Sequence, residues 1–491
     1  MPRTAMHAVG PASLCLLLGL WGIRREGSMW GDEAATWQAA HRSVPDLCRL
    51  LDHVDVVHGL YYLFMHGVFA VLGDSLIALR LPSVLAMTGA TLLIALLGAR
   101  LADRCTGAAA GLAFALLPAV QRYAQEGRPY AMVAACVVLA CLLLVRAVDR
   151  PRAGAWAAYG TVVLVGALLN WFSLLVLCAH AVTLALVRPS RAVLVGWALA
   201  SSAAVLGVLP LAVASAAQSG QVDWIPPTRP GTLRGVLLTL VAGALLARCA
   251  RPSGDDRGPS GARLPLGTVA LPLLAVPPLA LLGVSLVHPL YVDRYVLFGQ
   301  LGLALLVGAA CHAQARRLRM PPRRLVAAAS VVALLTLLPL QCSLRHASGR
   351  SDDVLSAAAN AAAVLQSGDG VLYIPAARRD TALVSPADFT GTRDLALAQS
   401  PLESGTLSGV EGSPRAIAAA MLTARRIVVV SGPRMPSAPT ARDRAKLRVL
   451  GDRFRRVSTT VERGRRISVY QRRATGHEHV VPRAGTVPSR R

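Results

Sequence analysis

The sequence predicts a polytopic α-helical membrane protein carrying a small C-terminal α/β domain, and three observations support that reading. Of the 491 residues, 54% are hydrophobic and only 16% charged, with a mean hydropathy of +0.50, a balance too apolar for an ordinary soluble domain. Apolar runs near the length needed to cross about 30 Å of hydrocarbon recur through residues 1–344. Beyond about residue 345 they give way to shorter helix-like and strand-like segments separated by Gly-containing turns.

Charge and cysteine content exclude other classes. The 51 basic residues outnumber 26 acidic ones for a net charge of +25, which on a soluble protein suggests nucleic acid. Here most arginines stand between hydrophobic runs, so they read as topology signals and headgroup contacts, with no nucleic-acid partner. The nine cysteines are scattered, with Cys15, Cys136, Cys141 and Cys178 inside apolar runs. No CxxC or Cys/His cluster indicates a disulfide framework or a zinc site.

Taken in order, residues 9–23 form an apolar run that lacks a clean small-x-small cleavage site, and they read as an uncleaved first span. Further runs lie at about 81–99, 107–120, 130–145, 155–169, 171–187, 192–214, 234–247, 265–287, 295–310 and 325–342. The run 59–73 is shorter and interrupted by His66, so it could span or lie in the interface. Charge decides. If 59–73 does not cross, the Arg-rich connections, including Arg100/Arg104, Arg146/Arg150/Arg152, Arg188/Arg191, Arg248/Arg251/Arg257/Arg263 and Arg316/Arg317, all face the cytoplasm. That predicts eleven spans, 59–73 as a juxtamembrane or re-entrant element, and the C-terminal domain outside.

The same topology gathers the polar stretches onto the outer face. They are 24–80 with Asp32 and Glu33, 121–129 with Glu126 and Arg128, 215–233 with Asp223-Trp224, and 288–294 with His288 and Arg294. Few charges fall mid-span, which argues against an ion or proton path. Within the first loop, Trp30 and Trp37 suit a membrane–water interface and would hold Asp32 and Glu33 where a lipid-linked substrate presents its polar end. The plain alternative is a solvated loop with incidental acids.

The C-terminal region, 345–473, predicts a helix over the Ala-rich 354–366, a strand at Val371-Leu372-Tyr373-Ile374, and a helix at 414–424. A strand at Arg426-Ile427-Val428-Val429-Val430, a basic helix near 440–450 and a hairpin across 456–472 follow. No full GxGxxG or P-loop pattern is present, so no nucleotide site is assigned. Residues 474–491 read as a disordered basic tail.

Five motifs in succession carry a resemblance: Trp30-Gly31-Asp32-Glu33-Ala34; Asp55-Val56-Val57-His58-Gly59-Leu60-Tyr61-Tyr62; Leu72-Gly73-Asp74-Ser75; Leu79-Arg80-Leu81-Pro82-Ser83; and Tyr123-Ala124-Gln125-Glu126-Gly127-Arg128-Pro129-Tyr130. Together they resemble the GT-C glycosyltransferases, specifically the protein-mannosyltransferase-like membrane proteins of family 39 in their actinobacterial form. The likeness is specific over about 29–130, weaker at His288-Pro289 and Arg294-Tyr295, and architectural beyond. Where that family typically has His-Pro-Pro-Leu-Tyr, this chain has His58-Gly59-Leu60-Tyr61.

The resemblance implies a GT-C fold of about eleven spans with juxtamembrane helices in the first outer loop, in a bacterial plasma membrane. It implies transfer of a sugar, mannose by family analogy, from a polyprenyl-phosphate donor to a glycan or protein acceptor outside the cytoplasm. Asp32 matches the family's catalytic aspartate and takes the base role. Glu33 would position the acceptor, tune Asp32 as a neighbouring like charge, or join Asp32 in holding a divalent cation where one is used; no other cofactor is implied.

Phosphate recognition falls to guanidinium groups, whose planar fork of donors matches phosphate oxygens, with Arg128, Arg294 and Arg80 the candidates in that order. Glu126 and Tyr130 share the motif of Arg128. Arg80 directly precedes a span and could equally snorkel. His58 could hydrogen-bond phosphate or sugar, and His288 and Tyr295 stand near Arg294. Tyr61 and Tyr62 could be interface-belt residues or a stacking wall for a sugar. Asp223-Trp224 could line the acceptor side but reads first as an interface-anchored loop. Two rivals remain: a flippase or export component whose acids and arginines grip headgroups without catalysis, and a degenerate relative whose outer domain binds cell-wall glycan.

Overall fold

The structure is a computed structural model that describes residues 6–222, 225–250, 264–350, 352–434 and 439–473. Asp223-Trp224, Arg251, Arg257, Arg263 and the tail 474–491, all singled out above, lie outside the described residues. The chain divides into two compact units, one of residues 1–355 with 401–407, the other of 356–400 with 408–491.

The first unit is helical. Helix α1 (Met6–Leu20) leads into the first long connection, which three helices fill: α2 (Gly31–Ala40), α3 (Val44–His53) and α4 (Gly59–Leu72). At 14 residues α4 reaches about 21 Å, short of a bilayer's hydrocarbon core, and it ends at Gly73 in a left-handed φ of +73°. Then come α5 (Leu76–Leu101), α6 (Arg104–Leu116), α7 (Pro118–Ala124), α8 (Tyr130–Asp149), α9 (Ala153–Leu169), α10 (Leu175–Val187) and α11 (Arg191–Ala217). The unit continues with α12 (Pro230–Cys249), α13 (Leu266–Ser285), α14 (Gly299–Arg317) and α15 (Pro322–Arg345).

Local chemistry sets several boundaries. Ser75 Oγ accepts from the Ala78 amide to start α5, and the Asp103 carboxylate accepts from the Cys105 and Thr106 amides to start α6. The run expected at 107–120 is broken at Leu117, because the residue before Pro118 is driven out of the helical region, to φ −59°, ψ 126°. Asn170 similarly turns the chain through a 3-10 segment, Trp171–Leu174, before α10. Among the described residues, seven helical segments are long and apolar enough to cross a membrane: Met6–Gly27, Leu76–Leu101, Tyr130–Asp149, Arg191–Ala217, Pro230–Cys249, Leu266–Ser285 and Pro322–Arg345. The apolar segments Val56–Leu72, Arg104–Leu116, Ala153–Leu169 and Trp171–Val187 are shorter.

With lipid on the outside, helix association depends on close packing. At Gly107 a Cβ would lie 2.2 Å from the Ala95 carbonyl oxygen, so only glycine lets α6 lie this close against α5. A buried polar chain ties α8 to α11: His180 Nε2 lies 3.3 Å from Cys141 Sγ, its Nδ1 lies 2.9 Å from the Tyr159 hydroxyl, and that hydroxyl accepts from Trp197 Nε1 at 3.1 Å.

The second unit is α/β. Its five-stranded sheet runs β2 (Arg393–Asp394), β1 (Gly370–Ile374), β5 (Arg426–Ser431), β7 (Arg465–Arg472), β6 (Phe454–Glu462), with β1 parallel to both β2 and β5 and the hairpin β6–β7 antiparallel. A small pair, β3 (Leu397–Gln399) and β4 (Val410–Glu411), stands beside it. Alternation along the strands buries both faces. Val371, Tyr373, Val428 and Val430 pack with Ala357, Ala358 and Ala361 of α16 (Val354–Ala362), ahead of the short α17 (Asp380–Val384). Leu372, Ile374, Ile427 and Val429 pack with Ile417 and Met421 of α18 (Pro414–Thr423) and Leu450 of α19 (Ala441–Arg453).

Inside this unit five charged side chains pair with one another. Arg379 bonds Asp394 (2.6 Å) and Glu411 (3.1 Å), while Lys446 bonds Glu411 (2.7 Å), Asp443 (3.2 Å) and the Tyr373 carbonyl (2.9 Å).

Candidate active site

The site is built on the first turn of α2. Trp30 is extended (φ −99°, ψ 166°) and caps the helix, its amide donating to Glu33 Oε2 at 3.4 Å. The Gly31 and Met29 amides donate to the carboxylates of Asp352 and Asp353, each at 3.2 Å, holding the chain that enters the helix. Asp32 and Glu33 are then consecutive helical residues, and successive side chains on a helix point about 100° apart. The two acids consequently meet different surroundings.

Glu33 turns inward and is wholly buried. Arg80 grips it as a fork, Nε to Oε1 and Nη2 to Oε2 both at 2.7 Å, and the Gly127 amide adds a bond of 3.0 Å. Burial pushes the Glu33 carboxyl up, but the Arg80 charge and hydrogen bonds, with Arg25 and the Gly127 amide, hold it down to about 2. Arg80 also donates to the carbonyls of Ile23 (2.8 Å) and Ser28 (2.6 Å) and is 1% exposed. The phosphate role considered for Arg80, and the acceptor, tuning and metal roles considered for Glu33, thus meet side chains already committed to each other. This sealed pair supports the floor of the site.

Asp32 faces out. Its carboxylate keeps about a third of its surface exposed, and Oδ2 lies 3.3 Å from Nη2 of Arg294. Arg294 comes from a 3-10 turn, Asp293–Val296, and its guanidinium stands 5.7 Å from the ring centroids of Trp30, Tyr130 and Tyr295. Tyr295 is itself fixed by stacking on Phe172 at 4.7 Å, which stacks on Trp171 at 4.2 Å. Phe172 and Trp171 are support that the sequence reading placed only in a span, because nothing local marks a ring that braces another ring.

Arg128 lies beneath. Its Nη1 donates to the Asp32 carbonyl (3.4 Å), Thr36 Oγ1 (3.5 Å) and the Tyr62 hydroxyl (3.2 Å), and Tyr62 in turn donates to the Asp55 carboxylate. Arg128 Nε is buried with no hydrogen-bond partner among the described residues. The turn that carries it approaches α5 closely, since a Cβ on Gly127 would meet Leu79 Cγ at 2.6 Å. Ser83 Oγ pins the Glu126 carbonyl at 2.6 Å and Thr36 Oγ1 the Gly127 carbonyl at 2.9 Å.

The remaining candidates divide. Glu126 Oε2 accepts from Arg350 at 2.6 Å, and Arg350 lies over the Trp30 ring at 5.2 Å. Arg350, far along the chain after α15, carried no sequence signal. His58 is buried beside the Tyr62 ring at 5.9 Å, its Nδ1 without a hydrogen-bond partner among the described residues. Burial, and then the charges of Arg128 and Arg294, hold its imidazole well below the usual histidine range, so it stays neutral. Tyr61 and Tyr62 are both fully buried, so neither is an interface-belt ring nor presents an open stacking face; packing against α5 and the Arg128 contact take them inside. His288 is exposed after α13, and this cluster does not include it. No group of three or more His, Cys, Asp or Glu among the described residues could hold a metal ion.

Residues 59–216 match a family model described as dolichyl-phosphate-mannose-protein mannosyltransferase. The fold is similar to the crystal structure of ArnT from Cupriavidus metallidurans in the apo state, with a TM-score of 0.60 and 13% identity over 94% of this chain and 97% of that one. It is also similar to ArnT from the same organism bound to undecaprenyl phosphate, with a TM-score of 0.55, 13% identity and the same coverage. No curated protein matches the chain. The chain thus has a fold similar to that of these ArnT structures, and the family match spans its α4–α11 region.

Proposed function

We propose that this protein transfers a sugar from a polyprenyl-phosphate donor to an acceptor hydroxyl, with Asp32 as the general base and Arg294 and Arg128 receiving the phosphate. The observation that carries the reading is the unequal fate of two adjacent acids: Glu33 is sealed, while the Asp32 carboxylate stays open at 3.3 Å from a guanidinium. Asp32 removes the acceptor proton as its oxygen attacks the anomeric carbon. The bond from that carbon to the phosphate oxygen breaks, and the electron pair leaves on the phosphate, where Arg294 and the unused Nε of Arg128 offset its charge. One-step displacement inverts the anomeric centre. His58, neutral and buried nearby, is a hydrogen-bonding group for phosphate or sugar and adds no charge.

A groove of about 500 Å³ between α12, α13 and α14 is lined by Leu240, Leu274, Pro278 and Val296 and reaches Asp293, next in the chain to Arg294. Its lining is mixed, with Thr232, Thr239 and Gln300 beside the apolar side chains, and it offers a prenyl chain a path toward the phosphate end of the site. The lipid class is supported by the binding of undecaprenyl phosphate to ArnT, and mannose by the family description. On the sequence topology the site faces away from the cytoplasm.

The test is transfer from a radiolabelled polyprenyl-phosphate hexose in membranes carrying the wild type or Asp32→Asn. Transfer by the wild type and its loss in the variant support the proposal. Undiminished transfer by Asp32→Asn would remove the base assignment, and lipid movement across vesicles with no glycosidic bond formed would favour the flippase reading.

A further inference from the structure

A second groove, of about 980 Å³, runs between α9 and α11. We propose that it seats an anionic glycerophospholipid of the leaflet opposite the Asp32 site, with the lipid phosphate on Arg152 and Arg191 and an acyl chain along the two helices.

The mouth of the groove is built for an anion. Among the described residues, Arg152 and Arg191 are the only charged side chains lining it, and no acid lines it. Both helices start at this end: Arg152 is the N-cap of α9 and Ser190 that of α11, and neither start carries a side-chain cap bond. Two sets of first-turn amides and two helix-dipole positive ends therefore open beside two exposed guanidinium groups. Guanidinium forks and helix N-termini share a preference for phosphate oxygens.

The walls are built for hydrocarbon. Below the arginines the lining is Ala157, Leu164, Val195, Leu199 and their neighbours, with Thr161 the only polar side chain besides Trp156 among the described residues. Small residues bring the floor close. A Cβ on Gly196 would lie 2.3 Å from Trp156 Nε1, and one on Gly160 3.1 Å from the Ala200 carbonyl.

Depth selects the lipid. From Arg191 to Ala204, the last lining residue on α11, the helix rises about 20 Å, and from Ala153 to Leu164 on α9 about 17 Å, near half of a 30 Å hydrocarbon core plus the interface. That matches an acyl chain confined to one leaflet. The long prenyl chain of a donor lipid overruns it.

The groove is separate from the active site. The opposite ends of both helices lie at the active-site level: Gln218, after α11, donates to the Leu51 carbonyl and accepts from the Val56 amide, and Phe172, just past α9, stacks on Tyr295. The length of α9, 17 residues or about 25 Å, separates the arginine mouth from that level.

The experiment uses the purified full chain, delipidated in detergent and titrated with phosphatidylglycerol or phosphatidylcholine while bound lipid is counted by native mass spectrometry. The wild type is expected to retain phosphatidylglycerol at least tenfold more tightly than phosphatidylcholine. Arg152→Gln with Arg191→Gln should abolish that preference, and Ala203→Trp, which fills the groove from its lipid-exposed side, should weaken retention with both arginines intact. An unchanged thermal midpoint establishes that each variant is folded. Equal retention of the two lipids by the wild type, or a preference that survives the double substitution, overturns the proposal. So does displacement of phosphatidylglycerol by undecaprenyl phosphate at lower concentration, or a two-copy species that excludes lipid. Because bound lipid is read directly, the outcome is independent of whether sugar transfer is found.

Discussion

Two clusters of arginines and carboxylates sit in the two units, and they differ in how completely they satisfy themselves. In the α/β unit, Arg379, Asp394, Glu411, Asp443 and Lys446 close on one another, and Asp394 also takes the Ala396 and Leu397 amides. Around α2 the Glu33–Arg80 fork is just as closed, but the layer above it is open: Asp32 is partly exposed, Arg128 Nε has no hydrogen-bond partner among the described residues, and neither has Glu126 Oε1. A buried charge left without partners is costly, and a folded chain tolerates that where a ligand supplies the missing contacts. The closed cluster reads as a structural network, and the open layer is the candidate site.

The largest expected effect probes the open layer. Asp32→Asn should lower transfer by about 10²–10⁴-fold, the usual contribution of a positioned base, with the thermal midpoint nearly unchanged. A loss of folding in step with activity would erase the distinction between the layers. Next comes the closed layer beneath it. Glu33→Gln leaves the Arg80 charge buried without a counter-ion and should cost about 3–5 kcal/mol of stability, read as a fall in the denaturation midpoint. Lys446→Met in the α/β unit should cost less, about 1–3 kcal/mol, because Glu411 keeps Arg379 as a partner. Arg100→Gln breaks the half-exposed pair with Asp149 and should change the midpoint by less than about 1 kcal/mol.

Protonation sharpens the same contrast. Glu33, held down to about 2 in the fold against an ordinary value near 4.5, contributes stability that is complete above 4.5 and is lost as pH falls toward 2. His58 is also depressed, so unfolded chains bind its proton first and stability declines as pH falls below about 6.5. His58→Gln should flatten that part of the stability curve, measured by thermal denaturation between pH 5 and 7.5. A curve of unchanged slope would show that His58 is not neutral in the fold.

The sequence already contained much of this molecule. Hydropathy gives the long apolar helices of the first unit, and the continuous apolar runs at 371–374 and 426–430 give β1 and β5, which are buried on both faces. The two-residue strands β2 and β4 escaped notice, being too short for any period. Pro118 broke the expected run 107–120 through local backbone chemistry that hydropathy does not register, whereas Asn170 falls between the expected runs 155–169 and 171–187. At the site, the motifs identified Asp32, Glu33, Glu126 and Arg128 as a group, yet treated the adjacent acids as partners.

By itself, then, the sequence determined the class of the protein, the arrangement of its apolar segments and the short list of acids and arginines, since composition and periodicity are local properties of the chain. Only the tertiary structure decided which acid is open and which is sealed, that Arg80 belongs to Glu33, and that Arg350, some 220 residues beyond Glu126, pairs with its Oε2. The reason is geometric. A helix turns about 100° per residue, so neighbours in sequence part company in space, and what each one meets depends on segments the local pattern cannot see.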